Sequence, residues 1–190
     1  LAHRHPVQSD VQNLLSISCY QTGLVKQALV HAAKAVELEP RNCSYLNNLG
    51  GIHQGLGHID QALACYMRAL SLEPRHIPSL RNITACLIRK GLLRRAHEYC
   101  MEWLKADPDS YEARTSIGYL LSQTGSPDTA TLHYRAATRL RPKEMDAWYG
   151  LGGAYLKAGE AEDAIQSLST ALGMNDSDLR VHSLLINALG

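Results

Sequence analysis

One fixed interval recurs along this chain, and it brings five glycines into register: Gly23, Gly57, Gly91, Gly125 and Gly159. Five residues after each stands an alanine: Ala28, Ala62, Ala96, Ala130 and Ala164. Pro40, Pro74, Pro108 and Pro142 share a third phase, whose fifth place holds Asp176, and no insertion or deletion breaks the spacing. A period of this length marks one supersecondary unit stacked on copies of itself. Between the marks the apolar residues follow helical spacing: Trp148, Leu151 and Tyr155, then, past Gly159, Ala164, Ile165, Leu168, Ala171 and Leu172. Each unit therefore reads as helix, glycine-centred turn, helix, proline-marked turn. Glycine suits the left-handed conformation that ends a helix. Proline cannot continue a helix but fits the first turn of the next one. The alanine allows the two helices of a hairpin to approach closely. No strand-like alternation persists, so the expected fold is all-α, a row of antiparallel helix hairpins.

Composition narrows the function classes. Hydrophobic residues make up 45% of the 190, enough for a core and too many for disorder. Nineteen basic against eighteen acidic residues leave +1, which provides no global field for nucleic acid. No stretch approaches the ~20 apolar residues a membrane-spanning helix needs. Neither nucleic acid nor a membrane span is therefore expected. Five cysteines, an odd number without C-x-x-C, fit reduced thiols, and a cytoplasmic location is expected. Spacing brings no cysteine pair together for the roughly four converging ligands of zinc. Gly150-x-Gly152-Gly153 falls inside a helical segment with no strand before it, so it is not a dinucleotide loop. No Ser/His/Asp or Cys/His set has any spacing logic. The chain reads as non-catalytic, with no metal and no cofactor.

The combined spacing resembles the tetratricopeptide repeat (TPR) family, a helical hairpin of about 34 residues. On the family pattern, repeats fall at 9–42, 43–76, 77–110, 111–144 and 145–178. Residues 1–8 match the tail of a preceding repeat, and 179–190 match the first helix of a following one. Position 7 of the pattern holds Leu15, Leu49, Ile83, Ile117, Leu151 and Leu185; position 8 holds Gly50, Gly118 and Gly152 in three of the repeats. Position 24, where the family favours Phe, holds Ala32, Tyr66, Cys100, Tyr134 and Leu168, and Trp103 replaces a small residue at position 27. The resemblance implies a right-handed superhelical solenoid. It also leaves Leu185, Ile186 and Leu189 as an apolar stripe on the last helix, which implies self-association through the C-terminal face.

In this family the first helices of the hairpins line a concave groove. Carried over position by position, the resemblance implies a peptide-binding set of Asn13, Asn47, Asn48, Arg81, Asn82, Arg89, Tyr119 and Tyr149. An asparagine side chain donates and accepts at once, which matches the main chain of an extended peptide. Asn47, Asn48, Arg81 and Asn82 are expected to form one polar patch. The implied function is a protein-interaction scaffold that holds an extended segment of a partner. Asn48 and Asn82 also resemble two rungs of the asparagine ladder of O-linked N-acetylglucosamine transferases. Asn48-Leu49-Gly50 is similar to the arrays of glycosyltransferases and TPR-bearing sulfotransferases, so the alternative is the recognition array of a larger transferase. A self-assembling module is the third reading. Charge is uneven: 145–178 carries one basic and six acidic residues, while Arg89, Lys90, Arg94 and Arg95 form a basic run at a turn, solvated or facing an acidic partner.

Overall fold

A computed structural model describes residues 5–190, with side chains from residue 7 on. Of the expected tail 1–8, residues 1–4 lie outside the described residues. The described residues form eleven α-helices and no strand. They fall into two compact units, one up to Leu92 and one from Leu93. The first holds α1 (His5–Gln21), α2 (Val25–Leu38), α3 (Cys43–Gly55), α4 (Ile59–Leu72) and α5 (Ile77–Arg89). The second holds α6 (Leu93–Ala106), α7 (Tyr111–Gln123), α8 (Pro127–Leu140), α9 (Met145–Ala158), α10 (Ala161–Leu172) and α11 (Leu179–Leu189). In the first unit α1 pairs with α2 and α3 with α4; in the second α7 pairs with α8 and α9 with α10.

The periodic residues explain why the helices stop where they do. All five periodic glycines are left-handed, with φ between 71° and 85°, and no other residue type among the described residues has positive φ. The residue after each glycine donates its N–H to a carbonyl five residues back: Leu24 to Cys19, His58 to His53, Leu92 to Leu87, Ser126 to Leu121 and Glu160 to Tyr155. This bond closes the helix end in a Schellman motif, which needs the αL residue between. Helix starts are fixed more variously. Asn42, Ser110 and Asp178 cap α3, α7 and α11 with side-chain oxygens, and Pro78 and Pro127 sit in the first turns of α5 and α8.

The periodic alanines Ala28, Ala62, Ala96, Ala130 and Ala164 are all fully buried. In the second unit Ala130 and Ala164 pack with Leu151, Ala154 and Tyr155. Burial of methyl against methyl lets the helices close, and larger groups fill the remaining space at other depths. Tyr66, at 0% exposure, is the largest fully buried side chain among the described residues, and its ring occupies the space a Cβ on Gly50 would need. Leu168 stands in the same relation to Gly152. Trp103 is also buried, at 4% exposure, with its indole N–H unpartnered.

The C-terminal stripe needs one correction. Ile186 and Leu189 are 70% and 68% exposed, but Leu185 is half-buried against the core of Leu168, Ala171 and Val181. Leu179, 82% exposed, joins the outer face instead. Helical rotation explains the change: adjacent residues point ~100° apart, so 185 and 186 cannot share one face. No helix among the described residues is long and apolar enough to cross a membrane.

Candidate functional site

Each unit opens one cleft on the faces of its hairpins' first helices. The first, about 420 Å³, lies over α1, α3 and α5. Asn47, Asn48, Asn82 and Arg89 line it, four of the eight residues implied by the family pattern. Asn13 stands beside them, accepting a hydrogen bond from Asn48 Nδ2 at 2.8 Å. Asn82 Nδ2 donates to Asn47 Oδ1 at 3.0 Å. The asparagines therefore pair diagonally, residue i with residue i+35, and those exactly in phase do not pair. Each bond ties neighbouring first helices together and spends one donor and one acceptor. Asn48 and Asn82 keep one N–H and a free carbonyl oxygen each for a ligand. Arg81 is exposed and does not line the cleft, so the expected four-residue patch loses its guanidinium. Arg89 supplies the cleft's charge instead.

Tyr20, Gln54 and Tyr66, outside the implied binding set, also line this cleft. Tyr66 donates its hydroxyl to Gln54 Oε1 at 2.9 Å, and the Cys86 thiol donates to the same oxygen at 3.2 Å. Burial pushes the Tyr66 phenol well above its usual range, so it remains a proton donor. Tyr20 rests its hydroxyl over the bare backbone of Gly55. Of the basic run, Lys90 is ion-paired with Asp60 at 2.5 Å, which leaves it less free for a partner.

The second cleft, about 550 Å³, lies over α7, α9 and α11. Tyr119 and Tyr149 line it, the remaining two members of the implied set. Its floor is Tyr134, held edge-on between two glycines. A Cβ on Gly118 would lie 2.8 Å from Tyr134 Cδ2, and one on Gly150 would lie 2.6 Å from its Cζ. Leu184 adds an aliphatic wall, and Lys157 is the one charged residue lining the cleft. Lys157 Nζ donates to the Ser122 carbonyl at 2.9 Å. Burial raises the Tyr134 phenol strongly, and the neighbouring Tyr119, Tyr149 and Tyr111 add to the shift. No aspartate or glutamate among the described residues lines either cleft. The signal for both floor tyrosines was present in the sequence, as tyrosine where the family favours Phe, paired with a glycine at position 8 of the same repeat.

The five cysteines are free thiols, and no group of three or more His, Cys, Asp or Glu among the described residues is placed to hold a metal ion. Serial helix pairs closed by left-handed glycines, with ligand-sized clefts on the first-helix faces, define a helical-repeat protein. Models of the tetratricopeptide repeat match residues 43–76 and 115–178. The chain belongs to the tetratricopeptide repeat family, and its fold is the all-α TPR solenoid of that family. Tetratricopeptide repeat protein 37 of Xenopus laevis is 32% identical over 75 residues, 40% of this chain and 5% of that protein. The chain spans about a twentieth of the length of the curated relatives it matches first. Among solved structures, a TPR protein from Parabacteroides merdae superposes with a TM-score of 0.85 at 20% identity, over 95% of this chain and 72% of that one. YrrB, described as a TPR protein with an unusual peptide-binding site, superposes with a TM-score of 0.79 at 19% identity, over 90% and 89%. These structures share the fold. TPR repeats make this chain an interaction module in kind.

Proposed function

We propose that the chain is a non-catalytic scaffold that binds an extended peptide segment of a partner protein in its first cleft. The observation that carries this reading is the gathering of Asn47, Asn48, Asn82 and Arg89 along one cleft with no acidic neighbour in its lining. Free amide groups at the spacing of successive helices suit a peptide main chain, and Arg89 favours a segment with acceptors or negative charge. Asn13, Tyr119 and Tyr149 remain in the proposed set, the first as the support of Asn48. Arg81, away from the cleft, acts at most on the approach of a charged partner. A cytoplasmic setting belongs to this reading, because five free thiols persist where the medium is reducing.

The test begins with peptides selected from a displayed random library on the whole chain, then titrated against Asn48→Ala/Asn82→Ala. Loss of two or three hydrogen bonds at ~0.5–1.5 kcal/mol each weakens binding roughly ten- to a hundredfold. The double variant also loses both inter-helix amide pairs. It should therefore melt lower by about 1–2 kcal/mol, partly offset because alanine is the better helix former. Arg139→Ala, on the exposed side of α8, is the silent control. Unchanged affinity in a folded double variant removes the site from this cleft.

Self-association is the second reading, favoured by Leu179, Ile186 and Leu189 exposed on one helix. A molecular mass in sedimentation that rises with concentration supports it, and a monomer throughout ends it.

A further inference from the structure

Two periods separate the floor tyrosines Tyr66 and Tyr134, and the same two-period shift relates Gln54 to Ser122, Asn82 to Gly150 and Arg89 to Lys157. In the first cleft the Tyr66 hydroxyl is satisfied by Gln54. In the second the equivalent residue is serine, too short to reach. Ser122 Oγ is buried with no hydrogen-bond partner. The Tyr134 hydroxyl also has no partner among the described residues, but its oxygen keeps contact with solvent in the cleft. Polar groups withdrawn from water without a partner are rare in folded proteins, and each is costly. Only Ser122 Oγ is such a group in this cleft; the Tyr134 hydroxyl, unsatisfied by the protein, stands in the same cleft with a lysine that uses one of its three donors on the Ser122 carbonyl. The tyrosine ring cannot swing away to satisfy itself, because Gly118 and Gly150 confine both of its edges.

We propose that the second cleft binds an acidic peptide segment of a partner protein: an Asp or Glu side chain accepts from Tyr134 Oη and Lys157 Nζ, while an adjacent large apolar side chain packs among Tyr119, Tyr149 and Leu184. The inference rests on the peptide-scaffold reading and extends it to a second site of different chemistry. Charge complementarity selects the occupant. Lys157 is the sole charged residue in the lining, so a basic segment is opposed and a neutral one leaves the ammonium unanswered. The buried phenol stays protonated and donates, which suits a carboxylate acceptor and not a cation. The apolar share of the occupant follows from the aromatic and aliphatic residues of the lining, Tyr119, Tyr149, Leu156 and Leu184. Tyr134 is thus a specificity-determining residue that the family pattern does not mark, since its usual Phe has no hydroxyl.

The experiment selects short acetylated, amidated peptides from a displayed random library on the whole chain and titrates them calorimetrically. Blocked ends ensure that any carboxylate read is a side chain. Peptides that protect Tyr119 and Tyr149 in ring-resonance NMR should carry Asp or Glu next to a large apolar residue. For these, Tyr134→Phe should lower affinity about tenfold or more, the worth of a hydrogen bond to a charged acceptor. Ser122→Gln, which recreates the Gln54 arrangement and occupies the hydroxyl internally, should do the same. Tyr66→Phe should leave them unchanged. Replacement of the peptide's Asp by Asn should cost a similar factor. Second-cleft peptides indifferent to both Tyr134→Phe and the Asp-to-Asn change overturn the inference. Peptides that respond only to Asn48→Ala/Asn82→Ala overturn it too, and leave the first cleft's function standing. A selection that protects neither cleft overturns both readings.

Discussion

The two clefts are built on one plan and finished in opposite ways. In each, a tyrosine takes the position of a family Phe and fits over a glycine, Gly50 under Tyr66 and Gly118 beside Tyr134. In each, a cation at the matching repeat position, Arg89 or Lys157, is the only charge in the lining. Two of the differences bear on the floor tyrosine, while Tyr119 and Tyr149 stand where the first unit has Gly51 and Arg81. Where the first cleft has Asn82, bonded to Asn47, the second has Gly150, whose missing side chain admits the edge of Tyr134. Where the first has Gln54, bonded to its tyrosine, the second has Ser122, whose hydroxyl bonds to nothing. The first cleft is thereby amide-lined with its floor tyrosine satisfied, while the second is aromatic with its floor tyrosine unpartnered. A repeat scaffold can thus change the chemistry of its surface without changing its backbone, because the helix pairs are held by residues at other positions.

That comparison breaks first at Gly150. Gly150→Ala should force a methyl into the confined Tyr134 ring and cost ~1–3 kcal/mol of stability, as overpacking does. It should also abolish binding in the second cleft. The partner experiment is Gly51→Ala, where a Cβ meets only the Tyr66 hydroxyl at 3.9 Å. That site has room, and alanine there should hold or raise stability by up to ~1 kcal/mol through helix propensity. Thermal melts of the two variants side by side check the contrast. Equal shifts would mean that the Tyr134 ring moves freely despite the two glycines that flank it.

The smaller contrast concerns the hydroxyls. Tyr66→Phe removes the donor to Gln54 and should cost about 1 kcal/mol, the net worth of one hydrogen bond. Tyr134→Phe removes a hydroxyl without a protein partner, so its melt should stay within ~0.5 kcal/mol of the parent. Chemical denaturation with a common slope for both variants measures the difference. A larger loss in Tyr134→Phe than in Tyr66→Phe would reverse the assignment of which phenol is satisfied.

Much of this molecule was legible in one dimension. The glycine period located every left-handed helix end among the described residues, and the alanine period located residues that are all fully buried. Both are local or nearest-neighbour requirements, and sequence spacing reports those directly. The clefts were legible in part. Family positions led to Asn47, Asn48, Asn82, Arg89, Tyr119 and Tyr149, all of which line a cleft. The same rule placed Arg81 beside Asn82, yet Arg81 lies outside the lining, although Asn47 at the same repeat position lies inside it. It also stacked Leu185 with Ile186, which the packing of α11 on its neighbours separates.

What the sequence determined by itself is therefore the repeat, its helix ends and the small residues at its tightest contacts. Each of these is forced by backbone conformation or by volume, and each recurs at a fixed interval. What only the tertiary structure decided is how side chains from different hairpins meet. The diagonal pairing of Asn13 with Asn48 and of Asn47 with Asn82 depends on the rotation and offset of neighbouring helices. So does the wedging of Tyr134 between Gly118 and Gly150, which stand on successive first helices. Those rotations are set by the sum of many packing contacts, and no short motif encodes such a sum.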